Sequence, residues 1–216
     1  MARPCPATGF YAILDTGYVS SSDWEAKAAA LLEGGAVLLQ IRAKGYPAAE
    51  VEQLARRVRP LAERHRVPLI INDHLEVARR IPGTGLHLGQ EDGDPRWARK
   101  VLGPDRLLGL STHSIEQARE AITLQDCLSY FAVGPVFATG TKPDYPPVGT
   151  DLVRQVRQLA PPLPFFCIGG LNRSNIGAVL SAGASGIVAV SDPLLSKDTA
   201  AAVRQLVCRI PKGAGA

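Results

Sequence analysis

Eight short apolar runs recur along the chain, and segments with helical patterning separate them. The runs are FYAILD, VLLQIRA, PLIIND, GLHLG, RLLGLST, SYFAVG, PFFCIGG and GIVAVSD. They are rich in Val, Ile, Leu and aromatic residues, and most are apolar throughout instead of alternating with polar residues. This pattern is typical of strands buried on both faces, and therefore indicates a parallel sheet covered by helices.

The segments between the runs carry apolar residues at helical spacing. The clearest case is the second segment, with apolar positions at Val51, Leu54, Ala55, Val58, Leu61 and Ala62. Pro60 interrupts this segment, and it predicts a kink or a break in the second helix. Ser114 followed by Gln117 predicts a capping box at the start of the fifth helix.

Eight strand and helix units in tandem predict an α/β fold of the closed (β/α)₈ type, the TIM barrel. The 216 residues leave no segment long enough for another domain, so we expect one domain over residues 1–216, with flexible ends at 1–8 and 211–216. An open doubly wound sheet is the alternative, and it would apply if a weak run such as GLHLG did not form a strand.

Composition and charge narrow the class of protein. The chain is 46% hydrophobic and 20% charged, as in ordinary globular domains, and its net charge of +4 is spread along helical segments. We therefore expect no nucleic-acid partner. No stretch reaches the roughly 18 apolar residues of a membrane span, so we expect no membrane partner and a cytoplasmic location. The oligomeric state stays open, with a homodimer as one option.

The cysteines lie far apart in the chain and show no metal-ligand spacing. This pattern predicts buried free thiols in a reducing compartment for Cys5, Cys127, Cys167 and Cys208.

Acidic residues follow two successive runs. Asn72 and Asp73 end the third run, and Gln90, Glu91 and Asp92 follow the fourth. Each acid alone is typical of a turn or a helix cap. Two carboxylates from adjacent strands repel, however, unless a cation lies between them, and Mg²⁺ commonly binds one or two carboxylates together with substrate phosphates. The pair Asp73 and Asp92 therefore predicts a Mg²⁺ site at the carboxyl ends of the strands, where barrel enzymes hold their active sites.

Positive side chains and glycine-rich turns at the same end indicate phosphorylated ligands. Arg42, Lys44 and Lys142 supply charge, while Gly169-Gly170 and Val190-Ser191 follow the seventh and eighth runs. A phosphate in a barrel often lies between these two loops. Alone, the glycines would indicate a tight turn and the lysines a solvated surface. Together they predict two anion sites, one assisted by metal and one formed by backbone.

Other chemistries find little support. His87 lies within a strand, which predicts a histidine with satisfied hydrogen bonds more than a metal ligand, and His113 alone would be a packing or capping residue. Zinc-ligand spacing, a Gly-x-Ser-x-Gly elbow and a dinucleotide fingerprint are missing from the sequence. Ser111 and His113 come from one strand, which is poor geometry for a catalytic triad.

The motifs at the strand ends, taken in order, resemble those of the thiamine-phosphate synthase family across nearly the whole chain. They are QIRAK, IND, HLGQED, STHS, VGPVFATGTKP, IGGLN and AVS. The resemblance implies a barrel transferase that joins 4-amino-2-methyl-5-(diphosphooxymethyl)pyrimidine to 4-methyl-5-(2-phosphoethyl)thiazole. Thiamine phosphate and pyrophosphate would be the products, and a pyrimidine-methyl cation would form with the assistance of Mg²⁺.

Carried over position by position, the resemblance implies roles for particular residues. Asp73 and Asp92 would bind Mg²⁺, and the catalytic residues would be Arg42, Ser111 and Lys142. The pyrimidine diphosphate would be held by these three residues and by Gln40, Ile41, Ala43, Lys44 and Asn72. The thiazole phosphate would be held by Thr139, Gly140, Thr141, Gly170, Val190 and Ser191. Gly140 stands at a variable place of its loop, and GLN replaces the more usual GIT.

Two alternatives remain. A thiazole tautomerase of the same fold tends to lack the glutamine of the first motif and the second acidic residue, so Gln40 and Asp92 favour the synthase. A non-catalytic phosphate-binding barrel would need the backbone site but no metal carboxylates, so the paired acids discriminate against it.

Overall fold

The strands close into one barrel. A computed structural model describes residues 5–140 and 146–211, and in it eight parallel strands follow one another in chain order around a closed sheet. Each strand pairs with the next, and β8 pairs with β1 through Gly9 opposite Gly186 and Phe10 opposite Ile187. The TIM barrel is confirmed, and the open doubly wound sheet is wrong.

Each predicted run contains one strand. The strands are β1 Gly9–Asp15, β2 Leu38–Arg42, β3 Leu69–Asn72, β4 Gly85–Leu88, β5 Leu108–Thr112, β6 Tyr130–Val133, β7 Phe165–Cys167 and β8 Gly186–Ile187. The weak GLHLG run forms β4, while the run GIVAVSD contributes only two strand residues. Its next residue, Val188, still donates its N–H to the carbonyl of Cys167 at 2.8 Å before the chain turns away.

Helices follow the strands and surround the barrel. They are α1 Trp24–Glu33, α2 Ala48–His65, α3 Leu75–Arg80, α4 Pro95–Leu102, α5 Ile115–Thr123, α6 Gly149–Gln158, α7 Ile176–Ser181, α8 Ser191–Leu194 and α9 Thr199–Val207. A 3-10 helix, Ser21–Asp23, precedes α1. Among residues 5–140 and 146–211, no helix combines the length and apolar character that a membrane crossing requires.

The helix α2 buries the predicted face and runs through its proline. Val51, Leu54 and Val58 are buried, whereas Pro60 lies inside the helix, which continues to His65. The prediction of a break at Pro60 is therefore wrong. The proline removes the N–H that would reach the carbonyl of Arg56, but both residues lie on the exposed face, where water can replace the lost bond.

Three aromatic rings pack together inside the barrel. Tyr11 lies 5.7 Å from Tyr130 and 5.3 Å from Phe166, and the Tyr130 and Phe166 centroids are 5.6 Å apart, all in edge-to-face geometry. Such pairs stabilise a core beyond the area they bury. The three rings come from β1, β6 and β7, so they join distant parts of the chain.

The cysteines are all free thiols, but they are not all buried. Cys167 is buried in β7, Cys5 and Cys127 are half-buried, and Cys208 is exposed. Burial raises the pKa of the Cys5 thiol to about 12. The expectation of a buried thiol is wrong for Cys208, because this residue follows the end of α9 at the solvent.

The predicted flexible ends, 1–8 and 211–216, fall mostly outside the described residues. Among them, the structure describes only residues 5–8 and 211, and these residues lie in no helix or strand. This expectation stays a prediction.

The capping residues of α5 stabilise the turn after β5. Ser114 Oγ accepts the N–H of Gln117 at 3.2 Å, and Gln117 Oε1 accepts the N–H of His113 at 2.7 Å. The predicted cap at Ser114 is confirmed, and the return bond reaches one residue before the cap instead of the cap itself.

Replacing Ser114 by Ala should lower the free energy of unfolding by about 1 kcal/mol, because the first turn of α5 loses its side-chain acceptor. Urea denaturation followed by circular dichroism measures this change. Ser20→Ala is the matched control, since Ser20 precedes the 3-10 helix without capping it and its hydroxyl contacts Ser22. Equal stability of the Ser114 variant and the wild type would contradict the role of the cap.

Candidate active site

A cavity opens at the carboxyl ends of the strands, and its wall is formed by residues of β1 to β6 and by the segments that directly follow β7 and β8. Eight of the predicted site residues line it, namely Gln40, Arg42, Asn72, Ser111, Thr139, Gly170, Val190 and Ser191. The wall also contains Tyr11, His87 and His113, which the sequence interpretation did not assign to a ligand. The structure thus brings half of the sixteen predicted residues to the wall of one cavity.

The remaining predicted residues have different surroundings. Ile41 and Ala43 flank Arg42 and belong to the buried hydrophobic core, so a ligand in the cavity could meet only their backbone. Gly140 ends the first described range, and a Cβ there would meet no atom of the described residues within 4 Å. Thr141 and Lys142 lie outside the described residues.

The two predicted metal ligands lie in contact. Asp73 follows β3 with a φ of 64°, a left-handed conformation that Asp tolerates better than most residues, and its N–H bonds to the carbonyl of His87 at 2.9 Å. Asp92, in the loop after β4, accepts the N–H of Gly89 at 2.7 Å. Their positions after neighbouring strands bring the two carboxyl groups within hydrogen-bonding distance.

The electrostatics of this pair favour a nearby cation. The pKa of Asp73 is raised, first by burial and then by the adjacent Asp92, while Lys44 acts in the opposite direction. Lys44 Nζ lies 2.6 Å from Asp73 Oδ2. Across residues 5–140 and 146–211, groups of three or more His, Cys, Asp or Glu side chains suited to a metal are absent. The protein therefore offers a cation two carboxylates and leaves the remaining positions to water and ligand.

Arg42 is oriented by a buried carboxylate that the sequence interpretation missed. Arg42 Nη1 donates to Asp15 Oδ2 at 2.7 Å, and Asp15 Oδ1 accepts the N–H of Gly17 at 2.9 Å. Asp15 ends β1 and lies opposite Arg42 in the strand register. The signal was present in the sequence as an acid that ends one predicted strand and a base that ends the next, but only the register shows that the two meet.

A continuous chain of hydrogen bonds runs beneath the cavity. Gln40 Nε2 donates to the Tyr11 hydroxyl at 2.6 Å, which lies 2.8 Å from the Tyr130 hydroxyl. The Tyr130 hydroxyl lies 3.1 Å from His87 Nδ1, and His87 Nε2 lies 2.9 Å from Ser111 Oγ. The prediction that His87 is a satisfied barrel histidine is confirmed. Burial is the main cause of a raised pKa at both Tyr11 and Tyr130.

Close packing of two loops accounts for the glycine pair. Gly169 and Gly170 have φ values of 102° and 63°, and the N–H of Phe137 bonds to the carbonyl of Gly169 at 3.0 Å. A Cβ on Gly170 would lie 2.5 Å from the carbonyl oxygen of Ala138, and one on Gly169 would lie 2.3 Å from Pro135 Cα. The loop after β7 therefore contacts the loop after β6 so closely that any side chain would displace it.

An ion pair joins the loop after β7 to the start of α8. The N–H of Arg173 donates to Asp192 Oδ2 at 3.0 Å, and its guanidinium contacts both carboxylate oxygens. Asp192 directly follows the predicted phosphate residues Val190 and Ser191. The sequence interpretation missed this pair because its members lie in separate units.

Comparison with known proteins agrees with this architecture. The family model described as thiamine monophosphate synthase matches residues 10–192. The thiamine-phosphate synthase of Chloroflexus aurantiacus is 39% identical over 197 residues, which cover 91% of this chain and 89% of that protein. The one of Moorella thermoacetica is 40% identical over 176 residues, which cover 81% of this chain and 82% of that protein.

A solved structure supports the same grouping. The thiamine phosphate pyrophosphorylase of Pyrococcus furiosus superposes with a TM-score of 0.82 and 28% identity, covering 93% of this chain and 94% of that chain. The match of the family model to most of the chain, together with relatives near 40% identity, shows that this protein belongs to the thiamine monophosphate synthase family.

Proposed function

We propose that this protein is a thiamine-phosphate synthase, a transferase that joins the pyrimidine diphosphate and the thiazole phosphate into thiamine phosphate and pyrophosphate. One observation carries the proposal: two carboxylates in contact, Asp73 and Asp92, lie beside the cation Lys44 at the carboxyl ends of β3 and β4. A phosphate-binding barrel without catalysis has no use for such a pair, since carboxylates repel a phosphate.

The diphosphate would lie at the side of the cavity formed by β2, β3 and β4. Arg42 and Lys44 supply the positive charge there, and Arg42 is held in place by Asp15. Asp73 and Asp92 would hold Mg²⁺, and their contact fits that ion, because Mg²⁺ commonly takes one or two protein carboxylates plus substrate phosphate oxygens. When bound, the ion offsets the negative charge that grows on the departing diphosphate.

The thiazole phosphate would lie at the opposite side, between the loops after β6, β7 and β8. We assign it to Thr139, Gly140, Thr141, Gly170, Val190 and Ser191, with backbone N–H groups as the main donors. Support comes from the cavity wall, which contains Thr139, Gly170, Val190 and Ser191. Thr141 and Lys142 enter this assignment through family resemblance alone, as does the catalytic role of Lys142.

The pyrimidine would lie between these two anion sites, over Gln40, Asn72 and Ser111, which all line the cavity. These residues present amide and hydroxyl groups, which suit the orientation of a heterocycle. Ser111 and His87 lie at the distance of a nucleophile and its base. The other nitrogen of His87 faces the Tyr130 hydroxyl, however, whereas the base of a catalytic triad is oriented by a carboxylate at this nitrogen.

The free cysteine thiols support a proposal for the cellular compartment. All four cysteines of the chain are free. We infer a reducing, cytoplasmic environment, where thiols remain unpaired.

Neutralising either carboxylate should abolish most of the activity. In Asp73→Asn and Asp92→Asn, pyrophosphate release that requires both substrates should fall on the order of 10²-fold, because a contact to the metal and its charge compensation are lost. A titration with Mg²⁺ measures the accompanying loss of metal dependence. Glu120→Gln, which removes an exposed charge on α5, is the control. Wild-type turnover and Mg²⁺ dependence in both Asp variants would overturn the metal assignment.

A side chain added to the glycine loop should affect the thiazole site and leave the diphosphate site nearly unchanged. Gly170→Ala should raise the KM for the thiazole phosphate about tenfold and leave the KM for the diphosphate nearly unchanged, because the new Cβ displaces the backbone near Ala138. Steady-state kinetics measures both constants. Gly83→Ala is the control, since Gly83 has a similar positive φ of 81° in open space. An equal rise of both KM values in a folded protein would contradict separate sites.

The pyrimidine should ionise before the thiazole attacks, without a covalent intermediate on the enzyme. Electron-withdrawing substituents on the pyrimidine should therefore slow the chemical step steeply, because they destabilise the cation. Single-turnover measurements isolate this step from product release. A chemical rate that does not respond to the substituents would instead indicate concerted displacement.

A further inference from the structure

The hydrogen-bonded chain beneath the cavity connects two residues assigned to the substrate through three that are assigned to nothing. Gln40 stands at one end and Ser111 at the other, with Tyr11, Tyr130 and His87 between them. Every contact spans 2.6 to 3.1 Å, and the four residues other than Ser111 are buried. We infer that Tyr11 and Tyr130 are positioning residues that hold the His87 proton on Nε2 and thereby turn the Ser111 hydroxyl proton toward the cavity.

The direction of the chain follows from counting donors. The Gln40 amide is oriented with Nε2 toward Tyr11, and in this orientation the nitrogen can only donate, so Tyr11 accepts there and gives its own proton to Tyr130. Tyr130 then gives its proton to His87 Nδ1. A nitrogen that accepts cannot also carry a proton, so the proton of the neutral imidazole lies on Nε2. Each contact thus has one donor and one acceptor.

The opposite direction leaves a buried proton unsatisfied. If His87 donated from Nδ1 to Tyr130, then Tyr130 would donate to Tyr11, and Tyr11 would accept from both neighbours. Its hydroxyl proton would then lack an acceptor, because within residues 5–140 and 146–211 this hydroxyl bonds only to Tyr130 and Gln40. Tyr11 is 1% exposed, so its hydroxyl is largely shielded from solvent that could supply one. An unmade hydrogen bond at a buried donor disfavours that arrangement.

The same argument excludes a doubly protonated His87. An imidazolium donates from both nitrogens, so it would also force Tyr130 to donate toward Tyr11. The protons of the two tyrosines remain in place because burial raises the pKa of both hydroxyls. The neutral imidazole protonated on Nε2 is the form that satisfies every member of the chain.

The consequence appears at Ser111. Its oxygen accepts from His87 Nε2, so its own proton is free to donate to an acceptor atom in the cavity. His87 cannot remove that proton, because Nε2 already carries one. Ser111 therefore acts as a hydrogen-bond donor to the substrate, and its orientation is set by two tyrosines that touch no reacting atom.

The tautomer can be observed directly in the ligand-free, full-length protein. The chain has four histidines, so labelling with ¹⁵N-histidine gives a simple spectrum, and His87→Gln identifies the signals. Long-range ¹H–¹⁵N correlation should be recorded well above the ordinary histidine pKa of about 6.5. We expect His87 of the wild type to show a protonated Nε2 and an unprotonated Nδ1. A proton on Nδ1 would overturn the inference, whatever reaction the enzyme catalyses.

Tyrosine variants test the cause of this tautomer. Tyr130→Phe removes the donor to Nδ1, so the two nitrogen shifts of His87 should move toward each other as the tautomers mix. Tyr11→Phe should move them in the same direction although Tyr11 does not hydrogen-bond His87, because the direction of the chain is no longer imposed. Tyr46→Phe is the matched control, since this half-buried tyrosine packs on Trp24, and it should leave the shifts unchanged. Unchanged shifts in both Tyr11 and Tyr130 variants would refute the role of the tyrosines.

The kinetic consequence rests on the proposed function and is measured separately. Tyr130→Phe should lower kcat about tenfold, equivalent to about 1.4 kcal/mol, but by less than about twofold in a Ser111→Ala background. A merely structural role would lower kcat by the same factor in both backgrounds, and this result would refute the positioning role. If wild-type protein fails to turn over while the tautomer is as expected, the proposed function fails and the assignment of the tyrosines does not.

Discussion

Closure of the sheet between its first and last strands is the constraint on which the rest of the structure depends. The joint is short, because β8 contributes only two residues, and glycine stands on both sides of it at Gly9 and Gly186. A side chain on Gly186 would lie 2.6 Å from the Phe166 ring. Because Gly186 carries no side chain, it leaves room for this ring, and the closed barrel brings all eight carboxyl ends around one cavity.

This convergence brings charged and polar groups close together, and their charges are offset by different neighbours. Asp15 and Arg42 neutralise each other at 2.7 Å. Burial, and after it the like charge of Asp92, raises the pKa of Asp73, while Lys44 acts in the opposite direction. A carboxylate pair arranged in this way is suited to a divalent cation, as the proposed Mg²⁺ site requires.

Beneath the mouth, the barrel combines aromatic packing with hydrogen bonding in the same side chains. Tyr11 and Tyr130 pack edge to face with Phe166 and join Gln40 to His87 through their hydroxyl groups. Within the described residues, no buried side-chain nitrogen or oxygen lacks a partner. Full satisfaction makes the arrangement directional, because each hydroxyl has one proton and reversing one bond reverses the others.

The sequence by itself determined the fold class, the number of strands and part of the cavity wall. Strands that are buried on both faces appear in the sequence as continuous apolar runs. The residues at the end of each run lie at the mouth of a closed barrel, as Asn72, Ser111 and Gly170 do here. The cap at Ser114 was equally readable, because its hydrogen bond spans three residues of the chain. Such features depend only on local periodicity and on chain order.

Only the tertiary structure decided which side chains meet across the barrel. Tyr11 and Tyr130 lie 119 positions apart, and as apolar strand residues they could not be distinguished from ordinary core. The register of β1 and β2 brings Asp15 next to Arg42. The contact between the loop after β7 and the start of α8 brings Arg173 next to Asp192. The continuation of α2 through Pro60 and the exposure of Cys208 depended on which surface of the helices faces water. Distance in space and access to solvent are properties of the closed barrel, and no short stretch of sequence contains them.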